Sequence, residues 1–189
     1  TRWNLGAQGE LQPASADAPA SRDELRYGEP GTPGAKLTYT SAPLAQGATI
    51  AGPMSVTLHA SSSNTNLVVI GRLYDVAPDG SAVLISRGAL LGSQHRLDEA
   101  TSWRDAAGTI TWPWPLLARD EYLTPNRDYR FDLALAPRQW GVRPGHRIRL
   151  ELTTQTPADR CPATGLPPVN DSDPCRLTAP QEQTMPDGV

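Results

Sequence analysis

Hydrophobic and polar residues alternate along two runs in the second half of the chain, DYRFDLALAP and HRIRLELTT. In the first run, Phe131 and Leu133 lie on one side of an extended backbone, and Asp132 lies on the other. Successive side chains of a β-strand point to opposite faces of the sheet. Each run therefore predicts a strand with one face buried in a core and the other polar.

Further strands are predicted between Leu37 and Thr154. PMSVTLHAS also alternates, with His59 on its polar side, whereas NLVVIGRLYDV is apolar almost throughout and is typical of a central strand. Roughly seven or eight strands separated by Pro and Gly turns are expected in all. The sequence predicts no long helix of the kind that a parallel crossover needs. We therefore predict an all-β fold, an antiparallel sandwich of the jelly-roll type.

The predicted sandwich occupies residues 37–157 and has irregular segments on both sides. Residues 1–36 show no sustained periodicity and are interpreted as an irregular segment or linker, with a short strand near RWNL. Residues 158–189 are interpreted as a coiled tail. The chain begins at Thr1 without a signal-like stretch, so we interpret it as a mature form or an excised domain.

The composition supports this fold and argues against several classes of partner. Gly and Pro together make up roughly a fifth of the 189 residues, which suits short strands joined by turns. The net charge is −3, and Lys36 is the one lysine among 17 basic residues. Because the arginines are scattered, we expect neither nucleic acid nor a membrane surface as a partner. No apolar run reaches the ~20 residues of a membrane span.

The two cysteines, Cys161 and Cys175, lie close together in the tail, without nearby histidines. This arrangement favours a disulfide over a metal site, although two unrelated thiols remain the alternative. In the chain-entropy model, closing a loop of about 15 residues contributes roughly 3 kcal/mol. A disulfide of this kind predicts an extracellular or periplasmic protein.

The stretch LYDVAPDG raises the question of a cation site, because Asp75 and Asp79 lie four residues apart. A calcium site usually has six to eight oxygen ligands. Asp75 lies within a strand pattern, and APDG has Pro and Gly where a β-turn favours them. We therefore interpret this stretch as the turn of a hairpin.

Residues for catalysis or cofactor binding are difficult to assemble. The chain has no G-x-S-x-G motif and no phosphate-binding glycine loop, and we predict neither a cofactor nor a metal. His59 is expected on the polar face of its strand, and His146 is expected to hydrogen-bond in a turn. His95 lies near Asp98 and Glu99 but has no candidate nucleophile beside it, so a stand-alone hydrolase that uses His95 is the weakest hypothesis.

The aromatic feature is TWPWP, in which Trp112 and Trp114 are expected on one face of an extended segment. Tryptophans held between prolines can stack on sugars, which would make the chain a carbohydrate-binding module. They can equally pack on the core or dock another domain, and we favour this second interpretation. Trp103 and Trp140 are too isolated in the sequence for an assignment.

Three motifs together resemble the C-terminal domain of the X-prolyl dipeptidyl peptidase and cocaine esterase family. They are AGP at Ala51–Pro53, LYDVAPDG at Leu73–Gly80 and PGHRIRL at Pro144–Leu150, in this order. The resemblance covers about residues 37–157, and its specificity lies in the order and spacing of the motifs. The tail with its cysteines is not part of the family's core pattern.

The resemblance implies a galactose-binding-like jelly roll that packs on an upstream α/β-hydrolase domain of the same polypeptide and helps to wall its active-site cleft. It also implies that the serine nucleophile, the acid and the histidine belong to that upstream domain, so none is placed on a residue here. The family includes peptidases, esterases and acylases, and the resemblance does not choose among these substrates. It leaves the oligomeric state open as well.

Overall fold

The computed structural model describes residues 1–14, 22–28 and 30–155, and strands dominate this part of the chain. The strands, in chain order, are β1 (Trp3–Leu5), β2 (Leu11–Pro13), β3 (Lys36–Thr40), β4 (Ala48–Ala60), β5 (Val68–Val76), β6 (Ala82–Leu91), β7 (Trp103–Arg104), β8 (Ile110–Trp112), β9 (Tyr129–Val142) and β10 (Arg147–Thr153). Two short 3-10 helices, Ala7–Gly9 and Gly92–Gln94, follow β1 and β6. None of the helices in the described part is long or apolar enough to cross a membrane. The proposed Cys161–Cys175 pair and the tail from residue 158 lie outside the described residues.

One antiparallel sheet has the strand order β3-β10-β5-β6, and β4 pairs with β9 in a long antiparallel ribbon. The continuously apolar strand β5 lies between β10 and β6, as the sequence predicts, and Leu73 pairs with Leu150 across the sheet. The prediction of an all-β antiparallel sandwich is confirmed. Its jelly-roll, galactose-binding-like topology stays a prediction.

The core lies between the sheet and the ribbon, and the alternating runs supply it. Phe131 and Leu133 of β9 are buried, as are Ile148, Leu150 and Leu152 of β10, so both predicted apolar faces are confirmed. Each large apolar side chain that leaves water contributes about 1.5–3 kcal/mol to folding. The core is therefore the main source of stability for these strands.

The opposite face of β9 departs from the expectation in one respect. Asp132 does lie on the polar side of the alternation, but it is only 3% exposed. Its carboxylate accepts hydrogen bonds from Thr57 at 2.6 Å and from Arg130 at 2.9 Å. A buried carboxylate needs such partners.

The N-terminal residues contribute to the same core. β1 confirms the strand predicted near RWNL, and it pairs with β2, which the sequence patterns missed. Leu11 of β2 belongs to the hydrophobic core, and the adjacent Glu10 forms a parallel bridge with Thr40 of β3. The Tyr39 hydroxyl donates to Asp23 at 2.8 Å. Burial, together with this bond, raises the pKa of Tyr39.

The APDG stretch is the turn between β5 and β6, as predicted. The Gly80 N–H donates to the Ala77 carbonyl at 2.9 Å, and Gly80 has a φ of +87°, which glycine adopts without strain. The Asp79 carboxylate accepts from the Ser81 hydroxyl at 2.7 Å and from the Ser81 N–H at 2.9 Å. These two bonds lower the pKa of Asp79. Both carboxylates of this stretch are therefore engaged within the protein, because Asp75 also has partners.

Asp75 is buried at the end of β5 and bonds two other parts of the chain. One carboxylate oxygen lies 2.7 Å from Nδ1 of His146, just before β10, and the other accepts from Nε1 of Trp140, on β9, at 3.0 Å. The sequence placed His146 in a turn but did not predict this pair. We call Asp75, His146 and Trp140 the carboxylate clamp, because their bonds join β5 to the residue before β10 and to the C-terminal part of β9.

Gly88 of β6 lies at a close approach between the sheet and the ribbon. A Cβ at this position would lie 1.8 Å from the carbonyl oxygen of Ala134 on β9. Gly88→Ala is therefore expected to force the backbones apart and to lower the free energy of unfolding by about 1–3 kcal/mol or more. Urea denaturation followed by circular dichroism measures the loss. Gly141→Ala on β9 is the control, because nothing lies within 4 Å of its Cβ position.

Asp75→Ala is expected to lower the free energy of unfolding by about 3 kcal/mol, because it leaves two ring N–H donors without their acceptor. The same denaturation experiment measures it. Asp79→Ala, at the exposed turn four residues away, serves as the control and is expected to change stability much less. If the two variants lost the same free energy of unfolding, the carboxylate clamp would contribute no more to stability than the exposed turn at Asp79, and the prediction would be wrong.

Candidate functional site

A long segment, residues 95–128, runs from the end of β6 to the start of β9, and we call it the arm. It contains β7 and β8, which pair antiparallel with Trp103 opposite Trp112. Between these strands, the Asp105 side chain accepts from the N–H groups of Ala107 and Thr109, each at 2.9 Å. Asp105 thereby closes a tight turn that places the two tryptophans side by side.

Trp112 and Trp114 are positioned by the arm's contacts with the sandwich and with itself. The Ser55 hydroxyl of β4 donates to the Ile110 carbonyl at 3.1 Å and fixes β8 on the ribbon. The Trp114 N–H donates to the Ser102 hydroxyl at 2.9 Å. Trp112 is half-buried, whereas Trp114 is 45% exposed, and both line the same pocket.

The pocket has a volume of about 210 Å³ and lies between the arm, β6 and β9. Its lining is almost entirely apolar. It consists of Ala89 and Leu90 from β6, Trp112, Pro113, Trp114, Pro115 and Leu117 from the arm, and Asp132 and Ala134 from β9. The single charged residue, Asp132, is already held by Arg130, whose Nε lies 2.8 Å from the carboxylate. The pocket therefore suits an apolar group better than a hydrogen-bonding one.

Two further apolar side chains of the arm face solvent. Trp103 is 62% exposed and Leu117 is 63% exposed. Trp103 pairs with Trp112, and Leu117 lines the pocket, so they extend the apolar surface around it. We call Trp103, Trp112, Trp114 and Leu117 the aromatic patch. A cluster of large exposed apolar residues usually marks an interaction site.

Short polar contacts brace the arm. The Thr101 hydroxyl and N–H donate to Asp98, and these bonds lower the pKa of its carboxyl group. Glu121 accepts from Arg96 at 2.8 Å and from Arg119 at 3.2 Å, and the bond from Arg96 is the main reason that the pKa of Glu121 is lowered. The exposed stretches of the arm are therefore linked to one another by their own polar side chains.

Two of the histidines, His95 and His146, are held by contacts within the protein. His95 lies with its Nδ1 3.0 Å from the Gly92 carbonyl, and its ring packs edge-on against Tyr129 at 4.9 Å. The nearby Asp98 carboxylate is occupied by its own loop. His59 is exposed on β4. Within the described ranges, no three His, Cys, Asp or Glu side chains group closely enough to hold a metal ion.

Sequence reasoning had singled out two of the four residues of the aromatic patch, and their role in docking or ligand binding stays a prediction. It picked out Trp112 and Trp114 but not their neighbours Trp103 and Leu117, and it did not predict that Asp132 would be covered. One signal was available for Trp103: RDAAGT, which follows it, has the residues of a tight turn and so predicts a partner strand containing TWPWP.

Comparison with known families gives one match that covers almost the whole chain. A family model described as the X-Pro dipeptidyl-peptidase C-terminal non-catalytic domain matches residues 2–185. Two mycobacterial proteins named as serine esterases, Mb1866c of Mycobacterium bovis and MT1883 of Mycobacterium tuberculosis, are each 31% identical over 123 residues. The match covers 61% of this chain but 18% of each relative. The chain thus spans about a fifth of their length.

Solved structures share the fold at low sequence identity. A CocE/NonD family hydrolase from Staphylococcus aureus aligns with a TM-score of 0.58 and 14% identity over 64% of this chain and 23% of its own. An alpha-amino acid ester hydrolase aligns with a TM-score of 0.57 and 19% identity over 80% of this chain and 28% of its own. An aminopeptidase from a marine sediment archaeon, Thaumarchaeota archaeon, gives a TM-score of 0.57 and 16% identity over the same shares.

The exposed part of the aromatic patch is expected to contribute little to folding and to bind an apolar dye. In the double variant Trp103→Ser/Leu117→Ser, the free energy of unfolding should change by no more than about 0.5 kcal/mol per substitution, as at other surface positions. Binding of the dye ANS, followed by its fluorescence, should fall clearly. Val83→Ser is the control, because Val83 is 51% exposed but lies outside the patch. Unchanged dye binding in the double variant would contradict the assignment of the patch.

Proposed function

The chain belongs to the family of X-Pro dipeptidyl-peptidase C-terminal non-catalytic domains, and on this premise we propose that it is the accessory β-sandwich of a serine hydrolase. Its aromatic patch docks on an upstream α/β-hydrolase domain of the same polypeptide. Docking fixes the position of the sandwich beside the catalytic cleft and helps to shape that cleft. The upstream domain supplies the nucleophile, the acid and the histidine.

The observation that carries the proposal is the aromatic patch. Its two most exposed members, Trp103 and Leu117, leave more than half of their surface in water. Covering a large apolar side chain is worth about 1.5–3 kcal/mol, so these side chains favour an interface. Trp is also among the residues that most often dominate the binding energy of protein interfaces.

The lengths of the relatives support a large partner within the same polypeptide. The chain accounts for 18% of each mycobacterial relative and for 23–28% of the structural neighbours. A polypeptide of similar length would contain several times as many residues as this chain. The additional residues would be enough to form the upstream domain that we propose covers the aromatic patch.

Carbohydrate binding by Trp112 and Trp114 is less well supported by the geometry. Sugar sites combine an aromatic face with several hydrogen-bonding groups, because the hydroxyl groups of a sugar lose water when they bind. The pocket beside Trp112 offers one polar side chain, Asp132, whose carboxylate already accepts bonds from Thr57 and Arg130. An apolar protein surface matches this lining better.

We also propose that the protein works outside the cytoplasm. The support is the spacing of Cys161 and Cys175 in a segment rich in Pro and Asp, which favours a disulfide and hence an oxidising compartment. Whether the parent enzyme is a peptidase, an esterase or an acylase depends on the upstream pocket.

The function is tested with p-nitrophenyl esters and X-prolyl anilides as substrates. We expect no turnover by this chain alone, and either binding to the separately produced upstream domain or restored turnover when the two are mixed. In the double variant Trp103→Ser/Leu117→Ser, the affinity for the upstream domain should fall by about tenfold or more, as for interface hot spots. Val83→Ser should bind like the unsubstituted chain.

Turnover by the chain alone would overturn the proposal and direct attention to His95, where His95→Ala would have to abolish it. Retention on glycan columns that is lost in Trp112→Ala/Trp114→Ala would favour the carbohydrate-binding alternative. Undiminished affinity of the patch variant for the upstream domain would mean that the two domains meet through another surface.

A further inference from the structure

A charged group lies directly beside the aromatic patch. Arg130 is two residues from the pocket residue Asp132 on the same face of β9, so their Cα atoms are about 7 Å apart along the strand and their side chains are neighbours. His59 of β4 pairs with Arg130 across the ribbon. Both are accessible: the Arg130 side chain is 50% exposed, and His59 is exposed.

The bonds that Arg130 makes engage only part of its guanidinium group. Nε and Nη2 hold the Asp132 carboxylate at 2.8 and 2.9 Å. A guanidinium group has five N–H donors, so this side-on pair leaves the Nη1 donors for water or for a partner. A protein surface that covers Arg130 removes that water and must then supply an acceptor, since a buried N–H donor without a partner is costly.

A protein surface that covers this region therefore needs two different groups, an apolar one for the pocket and a hydrogen-bond acceptor for Arg130. The pocket is apolar and holds about 210 Å³, which is room for one bulky side chain. Arg130 requires an acceptor, and a carboxylate is the strongest one available in a protein because the bond is charge-assisted. His59 can donate a ring N–H to the same group whether or not the ring is protonated.

We propose that the segment of the upstream domain that docks on the aromatic patch carries a bulky apolar side chain that enters the pocket and, next to it, a carboxylate that binds Arg130 and His59. The proposal rests on the proposed function and specifies the chemistry of the partner surface. The apolar side chain supplies affinity. The carboxylate fixes the orientation of the docking segment on the patch and rejects segments that lack it.

The test uses zero-length cross-linking in the full-length polypeptide. Arg130→Lys keeps the positive charge and adds an amine that a carbodiimide can couple to a neighbouring carboxylate as an amide. Because this chain has a single natural lysine, Lys36, the new cross-links can be assigned by mass spectrometry. Arg138→Lys is the matched control, since Arg138 is an exposed arginine of β9 that lies beyond the pocket residues.

We expect Arg130→Lys, and not Arg138→Lys, to give a cross-linked peptide from the upstream domain in which the coupled acidic residue adjoins a bulky apolar one. His59→Lys probes the same carboxylate without disturbing the Arg130–Asp132 pair, and it should cross-link to the same upstream residue. Agreement between the two probes keeps the result interpretable even if Arg130→Lys loosens the strand.

Two other outcomes are distinguishable. If Trp103→Ser/Leu117→Ser weakens docking but neither lysine couples to the upstream domain, the patch docks without the carboxylate, and this inference is overturned while the proposed function stands. If the patch variant leaves docking unchanged and neither lysine couples, the docking surface itself has been misassigned. Cross-links of both lysines to carboxylates of this chain alone count as the absence of coupling.

Discussion

The buried carboxylate of Asp75 is the constraint on which the relative positions of the two layers depend. A charge that is 6% exposed is tolerated only when its oxygens are bonded, and here the donors come from His146 and Trp140. These donors belong to parts of the chain more than 60 residues away from Asp75. Satisfying one carboxylate therefore requires that β5, β9 and the turn before β10 meet at one point.

β9 links the carboxylate clamp to a second buried carboxylate. Trp140, near the C-terminal end of β9, bonds Asp75, and Asp132, near the N-terminal end, is also buried. Asp132 is satisfied within the ribbon by Thr57 and Arg130, so the arm can cover it with apolar side chains at no cost in unpaired charge. An apolar pocket can therefore lie next to Asp132, because Thr57 and Arg130 already satisfy its carboxylate.

What the sequence could predict follows from the range of each interaction. Period-two alternation is local, so the faces of β9 and β10 and the hairpin turn at Asp79 were predictable from short windows. The Asp75–His146 pair depends on the register between β5 and β10, in which Ile148 lies opposite Asp75. A short window of sequence does not contain this register. The burial of Asp132 depends on where the arm folds back. The pairing of Trp103 with Trp112 was within reach, because only a short turn separates the two strands.

What the aromatic patch can bind depends on whether the polar groups around it are free or already bonded within the protein. A sugar platform would need donors and acceptors around Trp112 and Trp114 that are free to exchange water for hydroxyl groups. In this protein the polar groups near the rings are committed to internal bonds: Ser102 to the Trp114 backbone, and Asp132 to Arg130. The surface that remains is apolar, and Arg130 beside it has N–H donors that its pair with Asp132 does not use. Burial against another protein domain satisfies both features at once, whereas a polyhydroxylated ligand would lose hydrogen bonds on entering the pocket.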